Sequence, residues 1–591
     1  MRKMKPVFVL VALLINLEIV FGQSSGSDGL YLQTSEMNDI MTHYKADKES
    51  VTRFYSTNGN RSQWWNNQGN DTYNSPERRQ RLLRLIAKYQ QQVEKVDFDK
   101  MNVNGKVDYL LFKRNLEDEK YRLEDEGKKY MQIAKYLPFS DRLHALLVPR
   151  RRGAAVNGQV VAKELNEVNN QISKSINDFK KEDTLDSRDA KTASDAIKGL
   201  QGSLKDYYDF YNGYDPLFTW WVPKTFSQLD SLLNLYATQL TKKSKVVSSQ
   251  KDDGSGIPSN PVGSAEVMRQ LRLEFIPYTL EELVDIATKE FAWCDAELLK
   301  ATREMGFGDN WKAAQEKVKN SFVEPGKQPE AMYDLYKQSV DFLKKNDLVT
   351  IDSMAEEDWG MFMMPPERQL TSPFFLGGES LIISYPTNTM SYDEKMMSMR
   401  GNNPAFSRST VHHELIAGHH LQGFMNDRYK AYRSFNTAFW VEGNALYWEL
   451  LLWDMKFPRT PEEKIGMLFW RMHRCARIIF SLNYHLGKWS PQQCIDFLVN
   501  RVGHERANAE AEIRGSFRRT NYALYQIAYM VGGLQFYALK KELVDSGKMK
   551  LKEYHDAILR ENCMPVEMLR AILKNQPLKK DFKTNWRFYV K

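Results

Sequence analysis

The stretch Thr410-Val411-His412-His413-Glu414-Leu415-Ile416-Ala417-Gly418-His419-His420-Leu421-Gln422 carries four of the chain's ten histidines beside one carboxylate, in an apolar run without lysine or arginine. Neutral imidazoles bind a zinc ion, and a neighbouring carboxylate can take a proton from a water that the ion activates. The pattern reads as the active site of a metallopeptidase, with Zn2+ as cofactor and a peptide as substrate.

Spacing complicates that reading. A zinc helix usually carries its two histidines four residues apart, on one face. Here Ala417 stands four residues after His413, and the next histidines are His419 and His420. On an ideal helix His413 and His419 point ~240° apart with ~9 Å of rise, whereas His413 and His420 share a face ~10.5 Å apart. Neither pair converges without a break, and Gly418 is where a break or bulge is tolerated. His419 then takes the second ligand position, with His420 as the alternative.

A catalytic site needs a third ligand and an open position for water. The run from Phe439 to Trp453 is almost wholly apolar and is charged only at Glu442 and Glu449. Buried carboxylates are expensive unless paired or bound to metal, so Glu442 is the candidate third ligand. Glu449, two turns further on the same face, either orients a ligand histidine from behind or pairs with one of the arginines in 471–477.

On the substrate side, Tyr529 is the candidate donor to the oxyanion, with Tyr525 and Tyr522 as rivals. Arg514, near Glu512, and the cluster His504-Glu505-Arg506 could hold a substrate carboxylate. Ordinary ion pairs are the alternative for both. A strand is expected over Glu379–Tyr385, stopped by Pro386. Such a short β-strand element next to the metal helix could pair with the substrate backbone, or form a core hairpin. Gly377 and Gly378, at its entry, are candidate substrate-binding positions.

These side chains must be positioned by helices. Ser75-Pro76-Glu77 opens a helix with a cap and a first-turn proline, while Thr279, Thr460 and Ser490 each begin a capping-box pattern. Region 155–245 reads as long amphipathic helices interrupted at Tyr214–Pro223. A chain of 591 residues exceeds one core, so two or more domains are expected. The polar Gly/Ser/Pro stretch Ser248–Pro261 is either a linker or a surface loop, and marks a boundary between an N-terminal helical lobe at 23–250 and a C-terminal lobe at 262–591 that carries the metal site.

Charged residues make up 27% and hydrophobic ones 42%, as in ordinary soluble globular proteins. The net charge of +8 is spread without a basic block, so nucleic-acid binding is not supported. Residues 1–22 read as a signal peptide: Arg2, Lys3 and Lys5, an apolar run from Val7 to Leu17, and cleavage after Gly22. The apolar run is too short to span a bilayer comfortably, and no later segment would hold the mature protein in a membrane. The expected location is therefore exported, periplasmic or secreted. Cys294, Cys475, Cys494 and Cys563 are widely spaced, and Cys294 continues a helical apolar stripe, which marks it as core.

The segment from His413 to Gln422, followed by Glu442-Gly443-Asn444-Ala445-Leu446-Tyr447-Trp448-Glu449, resembles the bacterial "domain of unknown function 885" family of exported, predicted zinc peptidases. That family's hallmarks are His-Glu-x-x-Pro-Gly-His-His-x-Gln and Glu-Gly-x-Ala-Leu-Tyr-x-Glu. A weaker likeness continues in Tyr529-Met530-Val531-Gly532, in Glu553–Leu559 and in Met564-Pro565. The resemblance implies a mostly α, gluzincin-like architecture, distantly similar to angiotensin-converting-enzyme-like peptidases, with a deep central cleft between two helical lobes. It implies metal binding at His413, Glu442 and the histidine after Gly418, and a general base at Glu414. Two positions depart from the pattern: Ala417 replaces the usual proline and Asn444 a frequent tryptophan. The function expected is exported, zinc-dependent hydrolysis of peptide bonds. The alternative is a catalytically inactive peptide-binding protein of the same fold.

Overall fold

The computed structural model describes residues 33–55, 75–150, 154–179, 185–242, 244–245, 253–370, 372–374, 376–378, 380–517 and 522–589. The expected signal peptide lies outside them, as does the first part of the polar stretch at 248–261. Among the described residues the chain is mostly helical, with two short two-stranded pairs. It packs into two compact units. One takes in Phe98–Leu110 and Asp252–Lys591 together with the described residues up to Asn38; the other takes in Asp39–Asp97 and Leu111–Lys251.

The second unit follows from amphipathic periodicity. Helix Gly158–Phe179 buries Val161, Leu165, Val168, Ile172 and Ile176, one stripe at three- and four-residue spacing. Helix Ser187–Tyr211, capped by Asp186, buries a matching stripe, and helix Pro223–Lys242 adds Leu233 and Tyr236 to the same core. The expected interruption near Tyr214 holds the short helix Pro216–Trp221, opened by Asp215, which accepts from the Phe218 N–H at 2.8 Å. Leu185–Asp186 and Ser244–Lys245 form a two-residue parallel pair.

The first unit holds the candidate site. Its main elements are α1 (Leu280–Glu304), β1 (Gly360–Met363), β2 (Ser380–Ile383), α2 (Pro404–Glu414), α3 (His419–Asn426), α4 (Ala438–Asp454), α5 (Pro461–His485), α6 (Arg506–Phe517) and α7 (Tyr525–Lys540). Thr279 and Ser490 close the capping boxes that their sequences predict. Thr460 does not. It accepts from the Glu463 N–H at 3.2 Å, but the Glu463 carboxylate accepts instead from Arg459 N–H at 2.7 Å and from the buried Arg408 at 2.6 Å. A buried guanidinium outcompetes the helix terminus for that carboxylate.

The expected strand is β2, and it runs parallel to β1 from Gly360 opposite Ser380 to Met363 opposite Ile383. Its other edge bonds to Leu376, with N–H to O distances of 3.1 and 2.7 Å in the two directions. Both edges of β2 are thus taken by the chain's own backbone. A peptide pairing here would meet the outer side of the Leu376–Gly378 segment rather than β2.

Helix α4 is buried on every side, with Trp440, Tyr447 and Trp448 enclosed. It crosses α7 where Gly443 faces Gly532. A Cβ added at Gly443 would lie 2.6 Å from the Gly532 Cα, and one at Gly532 would lie 2.3 Å from the Phe439 carbonyl oxygen. Only two glycines permit this backbone contact. Gly443→Ala should therefore destabilise the protein by roughly 1–3 kcal/mol through overpacking, read as a lower midpoint in urea denaturation. An unchanged midpoint would show that the crossing yields without cost.

Candidate metal centre

Helix α2 begins at an Asn403 cap, whose side chain accepts from the Ala405 and Phe406 N–H groups, with Pro404 in the first turn. It ends at Glu414. Leu415 leaves helical geometry at φ −109° and ψ −105°, the Ile416–Ala417 peptide bond is cis, and α3 starts after Gly418. A Cβ at Gly418 would lie 1.7 Å from the His413 carbonyl oxygen, so the turn excludes any side chain there.

This break brings His419 round to His413. Their rings stand edge to face with centroids 4.8 Å apart. One oxygen of Glu442, Oε2, lies 3.4 Å from His413 Nε2 and 3.1 Å from His419 Nε2. Ligand atoms of His413, Glu414 and His419 also lie within 4.8 Å of one another. Atoms bound to zinc at about 2.0–2.1 Å in a tetrahedron are about 3.3 Å apart, and the two separations of Glu442 Oε2 from the imidazole nitrogens are of that size.

Each donor is held from behind. His413 Nδ1 lies 2.8 Å from Glu449 Oε1, which also accepts from Arg474 Nη2 at 3.3 Å. Glu449 therefore meets both expected partners at once, the His413 ring and an arginine of 471–477. His419 Nδ1 lies 3.3 Å from Gln422 Oε1, and Gln422 Nε2 donates to the Val441 carbonyl and to Asn444 Oδ1, both at 3.1 Å. Asn444 thereby fixes a residue that fixes His419. The second oxygen of Glu442 accepts from the Tyr525 hydroxyl. Tyr529 stacks on His413 at 6.0 Å, and its hydroxyl lies 3.4 Å from that of Tyr525.

Burial and charge set the protonation states. Burial alone would depress His419, but the charge and hydrogen bond of Glu442 override it and carry its pKa up to about 9. Burial pushes Glu442 up, yet His419 and His413 hold it well below the usual carboxylate range. Glu449 is treated likewise: burial is outweighed by Arg474 and His413, leaving it at about 2. Glu414 goes the other way, raised by burial despite the nearby histidines. The environments thus push these carboxylates in opposite directions.

The other expected residues fall as follows. His420 turns away from the cluster: its Nε2 lies 2.7 Å from the Ala355 carbonyl and its Nδ1 3.2 Å from that of Gly378, because the restarted helix points it to the opposite side. His412 is a core residue, edge-on to Phe457 and lowered to about 4 by burial. Gly377 packs on Glu414, where a Cβ would lie 2.4 Å from Oε2. Tyr522 donates to Glu274 instead. Arg514 donates to the Leu370 carbonyl at 3.0 Å and borders a different cavity, beside Glu394 and Asn508. His504 meets His473 at 2.8 Å, Glu505 pairs with Lys319 at 2.8 Å, and Arg506 pairs with Asp496 at 3.2 Å. All three thus serve internal contacts.

Sequence reasoning gave no role of their own in the site to Arg477, Glu512 and Gln422. The first two share a buried pair at 2.8 Å, and the signal was present in the sequence as cations within the apolar face of α5. His413, Glu414, Arg474, Arg477, Tyr525 and Tyr529 line one cavity of about 130 Å³.

The chain belongs to the family described as bacterial protein of unknown function (DUF885), whose profile matches residues 57–573. Two solved structures share its fold. A "putative lipoprotein of unknown function" from Shewanella oneidensis has a TM-score of 0.65 at 15% identity, covering 90% of this chain and 99% of its own. A "putative lipoprotein" from Colwellia psychrerythraea has a TM-score of 0.56 at 16% identity, covering 91% and 98%. No curated protein matches the chain. Among the described residues no helix is long and apolar enough to cross a membrane.

The His419 pKa has a stability consequence for the metal-free protein. A histidine raised from 6.5 to about 9 contributes stability that is complete below pH 6.5 and disappears as pH rises through about 9. Urea denaturation of metal-free protein should show that decline across this window, and Glu442→Gln should remove it. A profile unaffected by Glu442→Gln would break the assignment of the shift to this pair.

Proposed function

We propose that this protein is an exported zinc-dependent metallopeptidase. The convergence of His413 Nε2 and His419 Nε2 on one oxygen of Glu442, with Glu414 alongside, carries the reading. His413, His419 and Glu442 would hold the ion. Zinc bound by such a set acidifies a water and polarises a peptide carbonyl.

The chain's own groups divide the remaining work. Glu414, whose burial raises its proton affinity, takes the proton of the attacking water and passes it to the leaving amine. Tyr529, held protonated by burial and by the charge of Glu442, donates to the carbonyl oxygen as negative charge develops there. Tyr525 is engaged with Glu442 and keeps that carboxylate in place. The Leu376–Gly378 segment, packed on Glu414, offers the substrate backbone an edge beside the general base. Export is supported by the N-terminal sequence and by the naming of both structural neighbours as lipoproteins.

The deciding experiment is mass spectrometry of a mixed peptide library incubated with zinc-loaded and with chelator-stripped protein. Cleavage confined to the loaded sample is the expected result. Absence of cleavage in both, with peptide binding retained, would favour the inactive binding protein. Glu414→Gln should lower turnover by about 10²–10⁴-fold and leave zinc content unchanged, as measured by metal analysis. His419→Ala should lose zinc while His420→Ala retains it; the reverse would reassign the second ligand.

A further inference from the structure

Arg477 projects from α5 into the cavity that His413 and Glu414 line. Its Nε donates to Glu512 Oε1 at 2.8 Å, and its guanidinium lies 4.3 Å over the Tyr529 ring, the same ring that stacks on His413. The side chain is 8% exposed, and Nη1 is sealed from solvent with no acceptor in the protein. Arg474, the other cation of the cavity, donates to Glu449 at 3.3 Å, and its Nε is likewise sealed without an acceptor.

An enclosed guanidinium N–H without an acceptor is costly and is seldom left so in a folded protein. The guanidinium that carries this donor lines a cavity that an incoming ligand can enter. Planar guanidinium recognises a carboxylate with high directionality. At about 130 Å³ the cavity is smaller than the roughly 300–1,000 Å³ of pockets that enclose whole ligands. It suits the end of a chain rather than the middle of one.

We propose that Arg477 is a specificity residue that binds the C-terminal carboxylate of the substrate, so that the enzyme removes residues from peptide C-termini. This rests on the metallopeptidase reading. In the reaction the last peptide C–N bond breaks, the hydroxyl of water goes to the acyl carbon, and the water proton passes through Glu414 to the amine of the departing amino acid. Arg514, expected from sequence to grip such a carboxylate, is committed to the Leu370 carbonyl.

The test is calorimetry on zinc-loaded Glu414→Gln protein with Ala-Ala-Ala as the free acid and as its C-terminal amide. The free acid should bind at least about tenfold more tightly, the scale of one charge-assisted hydrogen bond. Arg477→Gln should abolish that preference. Because this variant strands Glu512 in the interior, Arg477→Gln/Glu512→Gln supplies a second, charge-neutral background, with folding checked by circular dichroism. Equal binding of acid and amide, binding of neither, or a preference that survives the double variant would overturn the proposal. The library experiment stands apart: acid preference without zinc-dependent cleavage would sink the peptidase reading and leave Arg477 as a carboxylate-binding residue.

Discussion

Two imidazoles six residues apart diverge on any continuous helix, and the centre depends on how the chain escapes that constraint. The escape occupies Leu415–Gly418. It ends α2 one residue after His413 and starts α3 at His419, so that each histidine sits at a helix terminus rather than within one. Gly418 lies against the His413 carbonyl, so the turn that repositions one histidine is braced on the backbone of the other. The same restart sends His420 to the carbonyls of Ala355 and Gly378.

Around this turn the buried charges are mutually dependent. Glu442 answers His413 and His419, Glu449 answers His413 and Arg474, and Glu512 answers Arg477. Removing one member would strand another in a low-dielectric interior, where an unpaired charge is far more costly than the pair is favourable. Glu414 is the exception. Of the four carboxylates buried around this turn, Glu442, Glu449 and Glu512 are pulled down by cations, whereas burial leaves Glu414 raised. A group set apart in this way is free to exchange a proton while its neighbours hold position.

Much of this was legible in residue type and spacing. The helices announce themselves through caps and apolar stripes, and the isolated carboxylates of α4 mark themselves by standing in a run with no other charge. The histidine spacing, by failing to fit an ideal helix, pointed to a break at Gly418. Other features were hidden because they depend on partners far away in the chain. Glu463 abandons its capping box for Arg408, β2 finds β1 on one edge and Leu376 on the other, and Arg514 faces Leu370. Arg477 was named only among the possible partners of Glu449 for the same reason: its pairing with Glu512 and the lack of an acceptor at Nη1 are set by the fold.

The crossing of α4 and α7 at Gly443 and Gly532 fixes a pivot immediately beside Glu442. Because backbone touches backbone there, the spacing between the two helices is set by contact and not by the length of chain that joins them. Segments between α4 and α7 could lengthen or shorten over evolutionary time without moving the carboxylate. The crossing thus works as a datum point, from which one family can vary its intervening loops while the donor atoms keep their mutual distances.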